Sequence, residues 1–202
     1  MLHQIQNVFV SRVKTLETTR CKIEFLFSKK DIVLRDVNQC YHGLFLSLVV
    51  AFESYLEDAF FHIISSKSRK VKKLFKPVAS FSTNNIARKI VHADKKYLDW
   101  LPYDKLKDRF DIYLECNCIF DKLDQHETTA LKQISIIRNS LSHCSAYSKK
   151  QFIDKVIGNN RVLPIEKTPT GYLRSIYRSS PRETRYQLYS NYLVSISNKL
   201  IS

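Results

Sequence analysis

Between Asp31 and Ser65 apolar residues return at three- and four-residue steps, through Phe45, Leu48, Val49, Phe52, Leu56, Ala59, Phe60 and Ile63. That spacing lines them along an α-helix of 3.6 residues per turn. From Tyr41 to Phe52, about a dozen residues, there is no charge at all, and apolar side chains occupy most of the circumference. Such a helix has to be surrounded by other elements. The uncharged stretch is too short to span a bilayer, which needs about 20 residues. It is therefore expected to be a buried helix at the centre of a bundle.

The rest of the chain supplies the surrounding elements. Helical spacing covers residues 2–27 (Val8, Phe9, Val13, Leu16, Ile23, Phe27) and 104–123 (Leu106, Phe110, Tyr113, Leu114, Phe120, Leu123). Asp124 followed by Glu127 predicts a capping box that opens a helix from about 126 to 141–145. Residues 78–103 predict short helical pieces and loops broken at Pro102, and 148–157 a short helix. Residues 158–170, with Pro164 and Pro169, predict a loop. Ser180 as N-cap, Pro181 and Glu183 predict the start of a last helix that runs to about Leu200. Alternation typical of a strand is limited to the ambiguous Arg161–Ile165, and 3 Gly with 5 Pro argue against a turn-dense β protein. The expectation is one all-α domain over residues 1–202, with about five main helices and short extra ones.

The chain carries a formal charge of +14, which points to a polyanionic partner. The charge is unevenly placed. Residues 1–60 balance at seven basic and seven acidic, and 111–150 at five each, whereas 61–110 carry a net +9 and 151–202 a net +5. Lys67, Arg69, Lys70, Lys72, Lys73 and Lys76 form a run with no acid, read either as a solvated helix end or as a phosphate-contacting edge. In the C-terminal stretch Arg174, Arg178, Arg182 and Arg185 interleave with Tyr172, Tyr177, Tyr186 and Tyr189. These can stack on unpaired bases and meet phosphates, or they can be core-edge tyrosines with solvated arginines.

The five Cys are odd in number and irregular in spacing, so reduced thiols in the cytoplasm are expected. Met1–Val10 shows no basic segment followed by an apolar run, hence no secretory signal. Cys116, Cys118 and His126 lack the spacing of a zinc site, and Cys144 beside His143 lacks the geometry of a nucleophile–base pair. No cofactor is expected. A membrane-docking adaptor is disfavoured for want of a basic amphipathic helix with exposed apolar residues.

The neutral segment holds the candidate site: Arg138-Asn139-Ser140-Leu141-Ser142-His143. Arginine offers a planar fork of donors to a phosphate, and histidine moves protons near neutral pH. At about 100° per residue, Ala130, Ile134, Ile137 and Leu141 form the core stripe. A polar wedge then runs from Arg138 at its edge through Ser142, Ser135 and Asn139 to His143, about 140° away. The two ends converge on one phosphate only if the helix ends near Leu141, or if two copies of the wedge face each other across a two-fold axis. The plainer alternative pairs Arg138 with a buried carboxylate, Glu53, and leaves His143 as a helix cap.

Arg138, Asn139 and His143, with four residues between Arg and His, resemble the motif of the HEPN-domain family. The earlier Phe52-Glu53-Ser54-Tyr55-Leu56 element is similar to the preceding helix of several HEPN toxins, and the likeness covers about residues 31–157, leaving the C-terminal loop and helix 158–202 outside it. The resemblance implies an antiparallel helical bundle and a metal-independent endoribonuclease that dimerises, with RNA as substrate and an antitoxin or other regulatory partner in toxin–antitoxin or phage-defence systems. It implies that Arg138 binds the scissile phosphate, His143 acts as general acid or base, and Asn139 orients them, with Ser142 and Glu53 in support. A helical RNA-binding or partner-binding module without catalysis is the rival reading.

Overall fold

The computed structural model describes residues 1–93, 95–115, 117–143 and 145–201, with 117–119 by backbone alone. Among these the chain forms nine α-helices and one two-stranded hairpin. The central helix is α2 (Leu34–Ser65), which buries Tyr41, Phe45, Leu48, Phe52, Leu56, Phe60 and Ile64 completely or nearly so. Helix α1 (Leu2–Ser28) folds back on it across a short turn in which Lys30 takes a left-handed φ of 64°. Its Phe9 ring meets Phe52 at 5.5 Å and Tyr55 at 5.4 Å, while Tyr41 near the other end of α2 reaches Glu24 at 2.8 Å. The two helices are therefore antiparallel.

Two more long helices complete the bundle, α6 (Gln125–Ser142) and α9 (Arg185–Lys199). Tyr186 packs on Tyr41, Tyr189 on Phe45, and the Tyr55 hydroxyl donates to the Ser197 carbonyl at 3.0 Å, so α9 runs parallel to α2. Ser195 and Lys199 both reach Glu127 at 2.7 Å, and Tyr189 donates to Gln133 at 2.8 Å, which sets α6 antiparallel to α9. The start of α6 follows from its capping box: Asp124 accepts from the Glu127 N–H at 2.9 Å, and Glu127 accepts from the Asp124 N–H at 3.0 Å.

The remaining helices are shorter: α3 (Arg69–Phe75), α4 (Asn84–His92), α5 (Tyr103–Tyr113), α7 (Ala146–Phe152) and α8 (Pro169–Arg174). A single wide π turn, Ile153–Ile157, prolongs α7. The helix expected over 104–123 is interrupted. Beyond Tyr113 the backbone finds partners outside the helix, with the Val78 N–H on the Tyr113 carbonyl and the Glu115 N–H on the Lys76 carbonyl, both at 2.9 Å. A 3-10 turn, Asn117–Lys122, follows. The loop expected over 158–170 contains a 3-10 turn, Pro164–Lys167, and the start of α8. At Gly171 of α8 any side chain would collide with the Ile165 carbonyl, so only glycine fits.

The last helix begins later than its sequence predicts. Residues 176–184 form a hairpin of β1 (Ile176–Ser179) and β2 (Arg182–Thr184), with Ser180 and Pro181 at the turn. Thr184, not Ser180, caps the helix: its hydroxyl accepts from the Gln187 N–H at 3.3 Å, and Gln187 returns a bond to the Thr184 N–H at 3.0 Å. Ser180–Glu183 and Thr184–Gln187 are the same capping pattern in sequence. The second prevails because the buried stripe of Tyr186, Tyr189 and Leu193 starts only there. Thr184→Ala should therefore cost about 1 kcal/mol in a urea melt. Ser180→Ala should stay within about 0.5 kcal/mol, and the opposite order would return the cap to Ser180.

Candidate functional site

Helix α6 packs against α2 and carries Arg138 and Asn139, with His143 at its C-cap. Arg138 and Asn139 are half-buried, and Ser142 and His143 are exposed. The helix ends at Ser142. His143 is its C-cap, with extended φ and ψ of −123° and 101°, so its side chain leaves the helical progression. Its backbone is held on both sides. Its N–H donates to the Asn139 carbonyl at 2.9 Å, and its carbonyl accepts from the Ser145 N–H at 2.8 Å and from the Ser148 hydroxyl. Ser145 in turn caps α7, accepting from the Ser148 N–H at 3.1 Å. The imidazole is thus exposed to solvent on a fixed backbone.

Arg138 and His143 open onto different clefts of the chain. His143 and Asn139 lie in a cleft of about 500 Å³ between α6 and α7, with the start of α5 at one end. Arg138 lines a smaller one of about 230 Å³ with Glu53, Glu57, Asp99 and Trp100. Asn139 joins the two, because its side-chain oxygen accepts from the Arg138 guanidinium at 3.1 Å.

The smaller cleft is acidic. Glu57 is bonded to Arg88 and accepts from the Trp100 indole at 3.0 Å, and Asp99 pairs with Lys105 at 3.1 Å. Glu53 has no ion pair within 4 Å among the described residues. Burial pushes its carboxyl above the usual range; the Arg138 charge and a Leu101 backbone N–H pull it back, and Asp99 adds to the rise. Glu53 and Arg138 line the same cleft, but the ion pair offered as the plainer alternative does not form.

The basic residues divide into two groups. Lys67, Arg69, Lys70, Lys72 and Lys73 all project into solvent on or beside α3, which is anchored by buried Phe75. They branch from the end of α2, about 20 Å along that helix from Glu53 at 1.5 Å per residue. Of the C-terminal arginines, Arg174 binds Glu24 in two contacts at 2.8 and 3.0 Å and covers the Phe27 ring at 4.5 Å. Arg185 binds Glu166 at 3.3 Å and Ser175 and covers Tyr172, while Arg178 pairs with Glu183 at 3.0 Å. Arg182 is exposed at the hairpin. Arg174 and Arg185 therefore brace the fold.

The Arg174 contact has a measurable pH signature. Burial alone would push the Glu24 carboxyl up, but the bonds from Arg174 and Tyr41 outweigh it and hold the carboxyl below its ordinary value. A depressed carboxylate adds stability above its unfolded pKa of about 4.3, and that contribution is lost as the pH falls through its folded value. Arg174→Met should be less stable than wild type at pH 7, and the gap should narrow towards pH 3 in urea melts. An unchanged gap would refute the linkage.

Among the described residues no group of three His, Cys, Asp or Glu side chains is placed to hold a metal ion, and no helix is long and apolar enough to cross a membrane. Cys116 and Cys144 lie outside the described residues; Cys21 and Cys40 are free thiols. The chain matches no protein-family model, and no curated protein or solved structure is significantly similar to it. The HEPN resemblance therefore stands on the residues of this sequence alone. Sequence reasoning missed the facing wall of the His143 cleft, formed by Tyr147, Gln151 and Lys155. Their four-residue spacing was the available signal.

Proposed function

We propose that the chain is a metal-independent endoribonuclease of HEPN type, acting as a homodimer, with a toxin or phage-defence role. The observation that carries this reading is the setting of His143: an exposed imidazole on a clamped backbone, at a cleft, linked through Asn139 to Arg138. In the reaction the RNA 2′-hydroxyl attacks its own phosphorus and the bond to the 5′-oxygen breaks. Products are a 2′,3′-cyclic phosphate and a 5′-hydroxyl. His143 takes the 2′-proton or delivers one to the leaving oxygen. Arg138 meets the charge that grows on the phosphoryl oxygens, and Asn139 orients it, with Glu53 behind and Ser142 beside. Because the two side chains open onto different clefts, two α6 ends related by a two-fold axis would place Arg138 of one protomer with His143 of its partner.

The test is cleavage of single-stranded RNA by purified protein in EDTA, with the product ends identified. The expected result is cyclic phosphate ends, and no cut where the 2′-hydroxyl is replaced by hydrogen. Uncut RNA, together with unimpaired growth of cells expressing the protein, would end the proposal. A second reading, a non-catalytic RNA-binding or partner-binding module, is favoured by the acidic niche around Arg138, which suits a structural guanidinium. It predicts binding that is unchanged by His143→Ala.

A further inference from the structure

The cleft at His143 is a groove with two ordered walls. On α6, Lys132, Ile136 and Asn139 follow at steps of four and three residues and so share one face, and His143 lines the groove from the C-cap just beyond them. The helical stripe from Lys132 to Asn139 spans about 10 Å, at 1.5 Å per residue. The facing wall carries Tyr147, Gln151 and Lys155. On an unbroken α-helix Lys155 would be turned about 80° from Tyr147 after eight residues. The π turn, closed by the Gly158 N–H on the Ile153 carbonyl at 2.8 Å, winds more slowly and swings Lys155 back towards the line of Tyr147 and Gln151.

The chemistry of this wall is specific. Tyr147 is 73% exposed, and its ring packs on no other ring among the described residues. Lys155 is exposed and makes no ion pair among the described residues. On the opposite wall Lys132 lies 3.9 Å from Asp104, a loose and exposed contact. A flat unpartnered aromatic, a free cation and amide and hydroxyl groups between them match a base and its phosphate.

We propose that this groove holds one unstacked nucleotide of single-stranded RNA beside the bond on which His143 acts, its base on Tyr147 and its phosphate at Lys155. The proposal rests on the nuclease reading for its place in the reaction, and makes the substrate single-stranded, since a base paired and stacked in a duplex cannot reach the ring.

The test is fluorescence anisotropy with an unstructured oligoribonucleotide in which 2′-fluoro groups prevent cleavage. Tyr147→Ala should weaken binding roughly 5- to 150-fold, from about 1–3 kcal/mol per stacked base. Tyr147→Phe should bind as wild type does. Lys155→Ala should reduce the slope of log affinity against log salt by about 0.7. The proposal is overturned if wild type does not hold the strand, if Tyr147→Ala binds equally well, or if a matched duplex binds as tightly. Cleavage is scored separately on ordinary RNA. Tyr147-dependent binding without cleavage removes the nuclease reading alone, and cleavage with Tyr147-independent binding removes the groove alone.

Discussion

Purified His143→Ala protein should cut RNA about 10²–10⁴ times more slowly than wild type, the usual contribution of one placed acid or base. The side chain is exposed, so the substitution should change stability by no more than about 0.5 kcal/mol, and a loss of rate would report chemistry. Arg138 needs a gentler probe. Removing it leaves half-buried Glu53 without its nearby cation, and Arg138→Ala would mix folding with function. Arg138→Lys keeps the charge and loses the planar fork. It should leave the fold intact and still cost about 10²–10³ in rate, as for the loss of one donor to a developing oxyanion. Mixing the two inactive proteins gives a sharper result. If each site takes Arg138 from one protomer and His143 from the other, half the dimers are mixed and one of their two sites is whole. Activity should return to about a quarter of wild type. Absence of any recovery would place both residues in one chain.

The second large effect concerns the core. Phe60 is fully buried on α2, and four rings surround it: Phe61 and Trp100 at 5.4 Å, Phe110 at 5.1 Å and Tyr113 at 5.5 Å. Phe60→Ala removes the ring and leaves a cavity that rigid neighbours fill poorly, a change that costs about 3–5 kcal/mol. Edge-to-face contacts add about 0.5–1.5 kcal/mol per pair beyond burial. Against a total stability of about 5–15 kcal/mol this is a severe loss. Urea unfolding should show it, with Val8→Ala, an exposed position on α1, as a control expected within about 0.5 kcal/mol. A loss below about 1 kcal/mol for Phe60→Ala would mean that the aromatic cluster is not the keystone of the α2–α5 contact.

The long helices were legible because burial and periodicity agree in them. The spacing over 31–65 located α2 to within a few residues, and the Asp124–Glu127 capping box located the start of α6. What stayed illegible depended on distant partners. Nothing near Tyr113 announces that Lys76 and Val78 will take over its backbone bonds. Two identical capping patterns four residues apart could not be ranked until the packing of Tyr186 and Tyr189 was seen. At the candidate site, the α6 stripe followed from helix geometry, and Glu53 stood out as a neighbour of Arg138 because it lies in the most apolar helix. The split of Arg138 and His143 between two clefts did not, because it depends on where α5 and α7 come to rest.

The wide turn after α7 lets one short segment answer to two surfaces. Phe152, Val156 and Ile157 face inward, while Lys155 stays in solvent. Gln151 to Lys155 and Phe152 to Val156 are the same four-residue step, so the slower winding turns the inward and the outward side chains together. Deleting a single residue there should therefore disturb the interior packing and the solvent-side line at once, with no side chain altered.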